Sequence, residues 1–181
     1  MSDYFGIFSI ILVWFGLLFL IKKWPGDRSL TFSQHAARRE ESIIFYFVLW
    51  AAVLPLFYWF MVGPFSDTVG LGTFFKIFVT FSSLCMLGAA IVPETKGWRV
   101  LWHRIFAYAM AYSLCPIVFI ILIQGDISKI AQVVILASSL VMLVGVVKSI
   151  VEKRSHGTKT LPSQAAYIAL FHLSVLVAYY F

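Results

Sequence analysis

The sequence predicts an all-α integral membrane protein: a six-transmembrane-helix bundle with both termini on the non-cytoplasmic side. Three observations carry that expectation. The 181 residues are 61% apolar and only 12% charged, far from the balance of a soluble domain. The apolar residues gather into six runs, each near the ~20 residues that a helix needs to cross a hydrocarbon core about 30 Å thick. Lys and Arg fall almost entirely in alternate connections between those runs, as expected when positive charge is kept on the cytoplasmic side. Residues 1–181 are therefore expected to form one six-helix domain.

The first run covers 4–21. Asp3 precedes it and Lys22 and Lys23 follow it, the reverse of a signal peptide's charge order, so it reads as a retained span. The second, 43–62, contains Pro55, which removes a backbone donor and predicts a local kink. The third, fourth, fifth and sixth cover 73–92, 105–123, 130–151 and 165–181. All are expected to be helical, because an open strand leaves backbone amides unpaired in lipid. The second and fourth connections, "GPFSDTVGLG" and "QGDISK", are short and rich in turn formers, which makes the flanking spans antiparallel neighbours.

The first connection carries Lys22, Lys23, Arg28, Arg38 and Arg39, the third Lys96, Arg99 and Arg104, and the fifth Lys148, Lys153, Arg154 and Lys159. Of the 14 basic residues only Lys76 and Lys129 lie elsewhere. This sorting places connections one, three and five in the cytoplasm, with the plasma membrane the expected location in a prokaryote. It also accounts for the net charge of +6 without a nucleic-acid partner. Trp24, Trp98, Trp102, Tyr4, Tyr179 and Tyr180 fall at the predicted interfaces, where amphipathic rings anchor spans.

Counting about 1.5 Å per residue from the span ends brings Ser82, Ser83 and Cys85, Ser113 and Cys115, Ser138 and Ser139, and His172 and Ser174 to one depth. Small polar residues at helix interfaces explain this layer as packing. A ligand pocket formed by His172, Ser82, Ser83, Ser113, Ser138, Ser139 and Ser174 explains it as function, since intramembrane ionisable side chains face protein or a wet cavity. No Asp or Glu lies near the midplane, which argues against ion-coupled transport. Cys85 and Cys115 sit in apolar runs and read as buried thiols.

The polar stretch "TFSQHAARREES" precedes the second span. Ser33 is expected to cap a helix running into that span, with His35, Arg38 and Arg39 on one face. The third connection, "VPETKGWRVLWHRIF", adds Glu94, Arg99, His103 and Arg104, and the fifth adds Lys153, Arg154 and His156. Such a rim suits a phosphate or the headgroup of an anionic lipid. Its histidines come from separate connections without short ligand spacing, so no metal site is predicted. Haem b between two histidines is the one cofactor to weigh; His35, His103 and His172 differ in expected depth, and no cofactor is predicted.

A span ending in "AAIVPE" and a following span opening with "HRIFAYAMA" resemble the six-span family called domain of unknown function 998. That family is similar in layout to eukaryotic lipid-remodelling and autophagy-modulating membrane proteins. The resemblance singles out Pro93, Glu94 and His103 and implies fold and membrane placement without supplying a reaction. The expected function is to bind, or facilitate the movement of, a lipid or small amphiphile, with membrane lipids as partners. The alternatives are a membrane enzyme using Glu94 and His103 as acid and base on a lipid headgroup, and a structural or assembly subunit with a protein partner or second copy.

Overall fold

The computed structural model describes residues 4–151 and 160–181, so Lys153, Arg154, His156 and Lys159 lie outside the described residues. The described residues are helical and contain no strand: α1 is Tyr4–Lys23, α2 Phe32–Ala36, α3 Glu40–Phe60, α4 Ser66–Val69, α5 Thr73–Ile91, α6 Trp98–Gln124, α7 Lys129–Val151 and α8 Thr160–Tyr180. Six helices, counting α3 through α4 as one, are long and apolar enough to cross a membrane. Their outward faces carry Phe15, Leu84 and Val144, each more than 60% exposed. So much large apolar surface is untenable on a monomer in water and natural in hydrocarbon.

The helices pack in sequence order, α1 on α3, α3 on α5, α5 on α6, α6 on α7 and α7 on α8, with α8 returning against α6 and α4. The Asp126 amide donates to Val69 O at 2.9 Å and joins the second and fourth connections at one end. At the other, the Leu161 amide donates to Arg28 O at 3.1 Å and the Phe32 amide to Gln164 Oε1 at 2.9 Å. Connections one and three and the start of α8 therefore share one end, the basic end. Apolar side chains form two clusters. One surrounds Phe60, Phe65, Phe75, Ile121 and Val175; the other surrounds Val13, Leu17, Leu20, Trp24, Phe32 and Tyr46.

The second span begins at Glu40 rather than 43 and the sixth at Thr160 rather than 165; three further differences from the sequence expectation each have a local reason. The stretch 63–72 is not a loop. A π-helical turn, Met61–Phe65, carries α3 into α4, and only Gly70 to Gly72 form the connection. Pro64 has no N–H to give, and the wide turn absorbs the missing bond. Burial of Phe65 and Val69 then outweighs the turn-forming residues around them. Gly70 ends α4 at φ 74, a left-handed cap that side chains disfavour. The fourth span begins at Trp98 rather than 105, launched from Gly97 at φ 61.

The third difference concerns the polar stretch. Thr31, not Ser33, caps α2: Thr31 Oγ1 accepts the Gln34 amide at 3.2 Å and Gln34 Oε1 accepts the Thr31 amide at 3.0 Å, a reciprocal capping box. The helix then stops. Arg39 is extended at φ −142 and ψ 149. Buried Ser42 holds the break, accepting the Arg39 amide at 3.2 Å and donating to Ala36 O at 2.7 Å. Side chains of this kind compete with helix continuation. His35, Arg38 and Arg39 consequently do not share a helix face: His35 is buried and both arginines are exposed.

Pro116 lies within α6, and one turn before it Tyr167 of α8 donates its hydroxyl to Ala111 O at 2.6 Å. That hydrogen being spent, the Cys115 thiol is the donor in its 3.2 Å contact with the Tyr167 oxygen. Tyr167→Phe is expected to cost about 1 kcal/mol, seen as a lower unfolding midpoint in detergent with helix content unchanged. An unshifted midpoint would show that the bond adds nothing to the α6–α8 contact.

Candidate functional site

The site starts from a proline. Pro93 follows α5 and lacks the N–H that would bond Ala89 O. His103, one turn into α6, supplies it: its Nδ1 lies 2.9 Å from Ala89 O and 2.7 Å from Val92 O. Two carbonyl acceptors at one ring nitrogen assign the hydrogen to Nδ1, so Nε2 of the neutral ring carries the lone pair. Nε2 is buried and has no hydrogen-bond partner.

Glu94 faces it. Glu94 Oε2 lies 3.9 Å from His103 Nε2, too far for a hydrogen bond, and both side chains are nearly buried, at 6% and 3% exposure. Its Oε1 is well used, accepting Arg104 Nε–H at 2.8 Å and Gln34 Nε2–H at 3.3 Å. Oε2 receives only Ser33 Oγ–H at 3.5 Å. One carboxylate thus gathers α2 and α6 at the basic end, and keeps spare acceptor capacity on the atom turned towards His103.

Two hollows lie at this end of the bundle. A small, partly enclosed cavity of about 10 Å³ is lined by Ser33, Ala37, Tyr46, Pro93 and His103 among others, about the room one water needs. An open cleft of about 560 Å³ is lined by Ala37, Thr95, Lys96, Trp98 and Arg99. Ala37 borders both hollows, and Pro93 and Thr95 place Glu94 on the turn between them. The Arg99 guanidinium lies 5.8 Å from the Trp98 ring centroid, within cation–π range.

Of the rim residues expected from sequence, Glu94, His103 and Arg104 meet, and Arg99 joins the neighbouring cleft. His35 and Arg38 form a separate group. His35 Nε2–H donates to Asp27 O at 3.1 Å and Arg38 Nη1–H to Pro25 O at 3.1 Å. Gly26 closes over the His35 ring, and a Cβ there would lie 2.7 Å from Cε1 and 2.8 Å from Nδ1. The unpartnered His35 Nδ1 therefore faces backbone rather than space. Nearby, the Ser29 amide holds the Asp27 carboxyl below its ordinary range. Arg39 points outward.

The midplane residues are placed differently. Ser113, Ser139 and Ser174 donate to carbonyls of their own helices, Met110 O at 2.7 Å, Leu136 O at 2.8 Å and Leu170 O at 2.9 Å. Ser82 and Ser138 are buried and Ser83 is half-buried. His172 Nδ1 accepts Trp14 Nε1–H at 3.1 Å, and its ring meets Phe57 edge-on at 5.8 Å between centroids. The partners of His172 are thus aromatic residues of α1 and α3. Among the described residues no three His, Cys, Asp or Glu side chains converge as metal ligands.

Sequence reasoning missed Gln34 and Ser33 as donors to Glu94, and Trp14 as the partner of His172. It had Lys96 and Trp98 only as a loop charge and an anchor. A usable signal existed for Gln34, because Thr31-x-x-Gln34 is a capping-box spacing that fixes the start of α2. A lone pair on Nε2 beside a carboxylate oxygen suits a small donor, and the basic cleft suits an anion. No family model, curated protein or solved structure matches the chain.

Proposed function

We propose that the protein binds a membrane phospholipid at its basic end, taken as the cytoplasmic side, with the lipid phosphate against Lys96 and Arg99. The observation that carries this reading is the open cleft lined by Thr95, Lys96, Trp98 and Arg99, placed where a membrane-length helix begins. Arg99 offers a planar donor fork suited to phosphate oxygens. Trp98 is 65% exposed, as an interfacial ring lying among headgroups is. The midplane lends less support, since three of its serines are satisfied within their own helices and His172 by Trp14.

The test is retention of lipid by the full-length protein in native mass spectrometry. Phosphatidylglycerol should be retained and diacylglycerol with the same chains should not. At about 1 kcal/mol per basic residue near the lipid surface, Lys96→Gln with Arg99→Gln should weaken retention about tenfold or more. His172→Phe should leave it unchanged. Equal retention by the double variant would overturn the proposal.

A further inference from the structure

We infer that the phospholipid carries a primary amine headgroup, its ammonium reaching Glu94 and His103 while its phosphate occupies the cleft. This deepens the reading above and rests on it. Two buried groups face each other with little to satisfy them: His103 Nε2 has no hydrogen-bond partner, and Glu94 Oε2, 3.9 Å away, receives only Ser33 Oγ–H at 3.5 Å. Unsatisfied buried acceptors are costly, and two acceptors at this spacing are bridged by one small group bearing at least two N–H or O–H bonds. A primary ammonium has three, and its charge makes the bond to the carboxylate stronger than a neutral donor's.

The charges are arranged for a zwitterion. Lys96 and Arg99 line the cleft on the Thr95 side of the turn, and His103, whose Nε2 lies 3.9 Å from Glu94 Oε2, lines the cavity of about 10 Å³ on the Pro93 side. Arg104 and Gln34 occupy Oε1, so an incoming cation meets Oε2 without displacing them. A quaternary ammonium has no N–H for either acceptor, and its methyl groups exceed a cavity that holds about one water.

The experiment varies the lipid before the protein. Full-length wild-type protein is titrated, in native mass spectrometry, with phosphatidylethanolamine, its N-methyl and N,N-dimethyl forms, phosphatidylcholine and phosphatidylglycerol of identical chains. Retention should fall with each methyl group, with ethanolamine about tenfold above choline, the value of one charge-assisted hydrogen bond. Glu94→Gln should bring the ethanolamine-to-choline ratio to about one, while Lys96→Gln with Arg99→Gln weakens all the lipids. Equal retention of ethanolamine and choline lipids would overturn the amine inference, as expected if the cavity holds only water; the phosphate reading stands if the Lys96 and Arg99 variants still lose lipid. Soluble phosphoethanolamine binding as tightly as the lipid would overturn the lipid as its source.

Discussion

Replacing His103 with alanine is expected to lower stability by about 2–4 kcal/mol, because it strands one buried and one part-buried carbonyl at about 1–3 kcal/mol each, less whatever water recovers. The acceptors are Ala89 O and Val92 O, at 2.9 and 2.7 Å from Nδ1, and Ala89 O depends on the histidine because Pro93 has no amide to offer. That dependence gives the prediction a second half. Pro93→Ala restores an N–H four residues beyond Ala89 and lifts the bias that holds Val92 extended at φ −102 and ψ 94, so that α5 can lengthen by a residue; in its presence the loss of His103 should be less severe by about 1 kcal/mol, within the range for residues sharing a partner. The measurement is a four-member cycle of unfolding midpoints in one detergent. Strict additivity would mean that His103 is not standing in for the amide that proline lacks.

The six spans were legible because hydropathy and length constrain them directly, and all six helices lie over the expected runs. What hydropathy cannot see is where a helix stops once its residues have turned polar. Residues 63–69 contain Gly, Pro, Ser and Asp yet continue as helix, since Phe65 and Val69 are drawn into the core; burial overrides turn chemistry there. The break at 37–39 fails in the other direction. Arg38 and Arg39 follow α2 without an obvious stop, and Ser42, three residues beyond Arg39, ends it from the far side.

Depth counting has a similar limit. It set His172 level with the serines, but depth leaves the azimuth of each helix free, and the nearest polar partner proved to be Trp14, 158 residues away in sequence. Glu94 and His103 were easier to pair because a short connection between α5 and α6 keeps both near one end. Even so, the sequence offered no reason to bring Gln34 to Glu94. That contact follows from how the first connection folds back over the bundle, tied by Phe32 to Gln164 and by Leu161 to Arg28. The stretch that interrupts the first two spans is basic in composition and, in the folded chain, fastens the basic end together.

The opposite end is held by aromatic packing, and Phe65→Ala should be the most damaging single truncation there. Phe65 is fully buried in the π-helical turn, with ring centroids 5.7 Å from Phe60, 5.7 Å from Phe75 and 6.1 Å from Tyr179. It therefore joins α3, α5 and α8. Removing a buried Phe from a water-soluble core costs about 3–5 kcal/mol, part of it transfer and part cavity. In lipid the transfer part largely vanishes, because hydrocarbon outside the bundle is as apolar as the core within it. The cavity remains, together with lost ring contacts worth about 0.5–1.5 kcal/mol each, so the expected cost is about 2–4 kcal/mol. The same reasoning predicts the control. Trp59 precedes the turn by two residues and is 62% exposed, so Trp59→Ala should change stability by less than about 0.5 kcal/mol, as substitutions away from packed features do. Unfolding both variants in bicelles decides the point. A large loss at Trp59 with none at Phe65 would mean that the packed and lipid-facing surfaces had been exchanged.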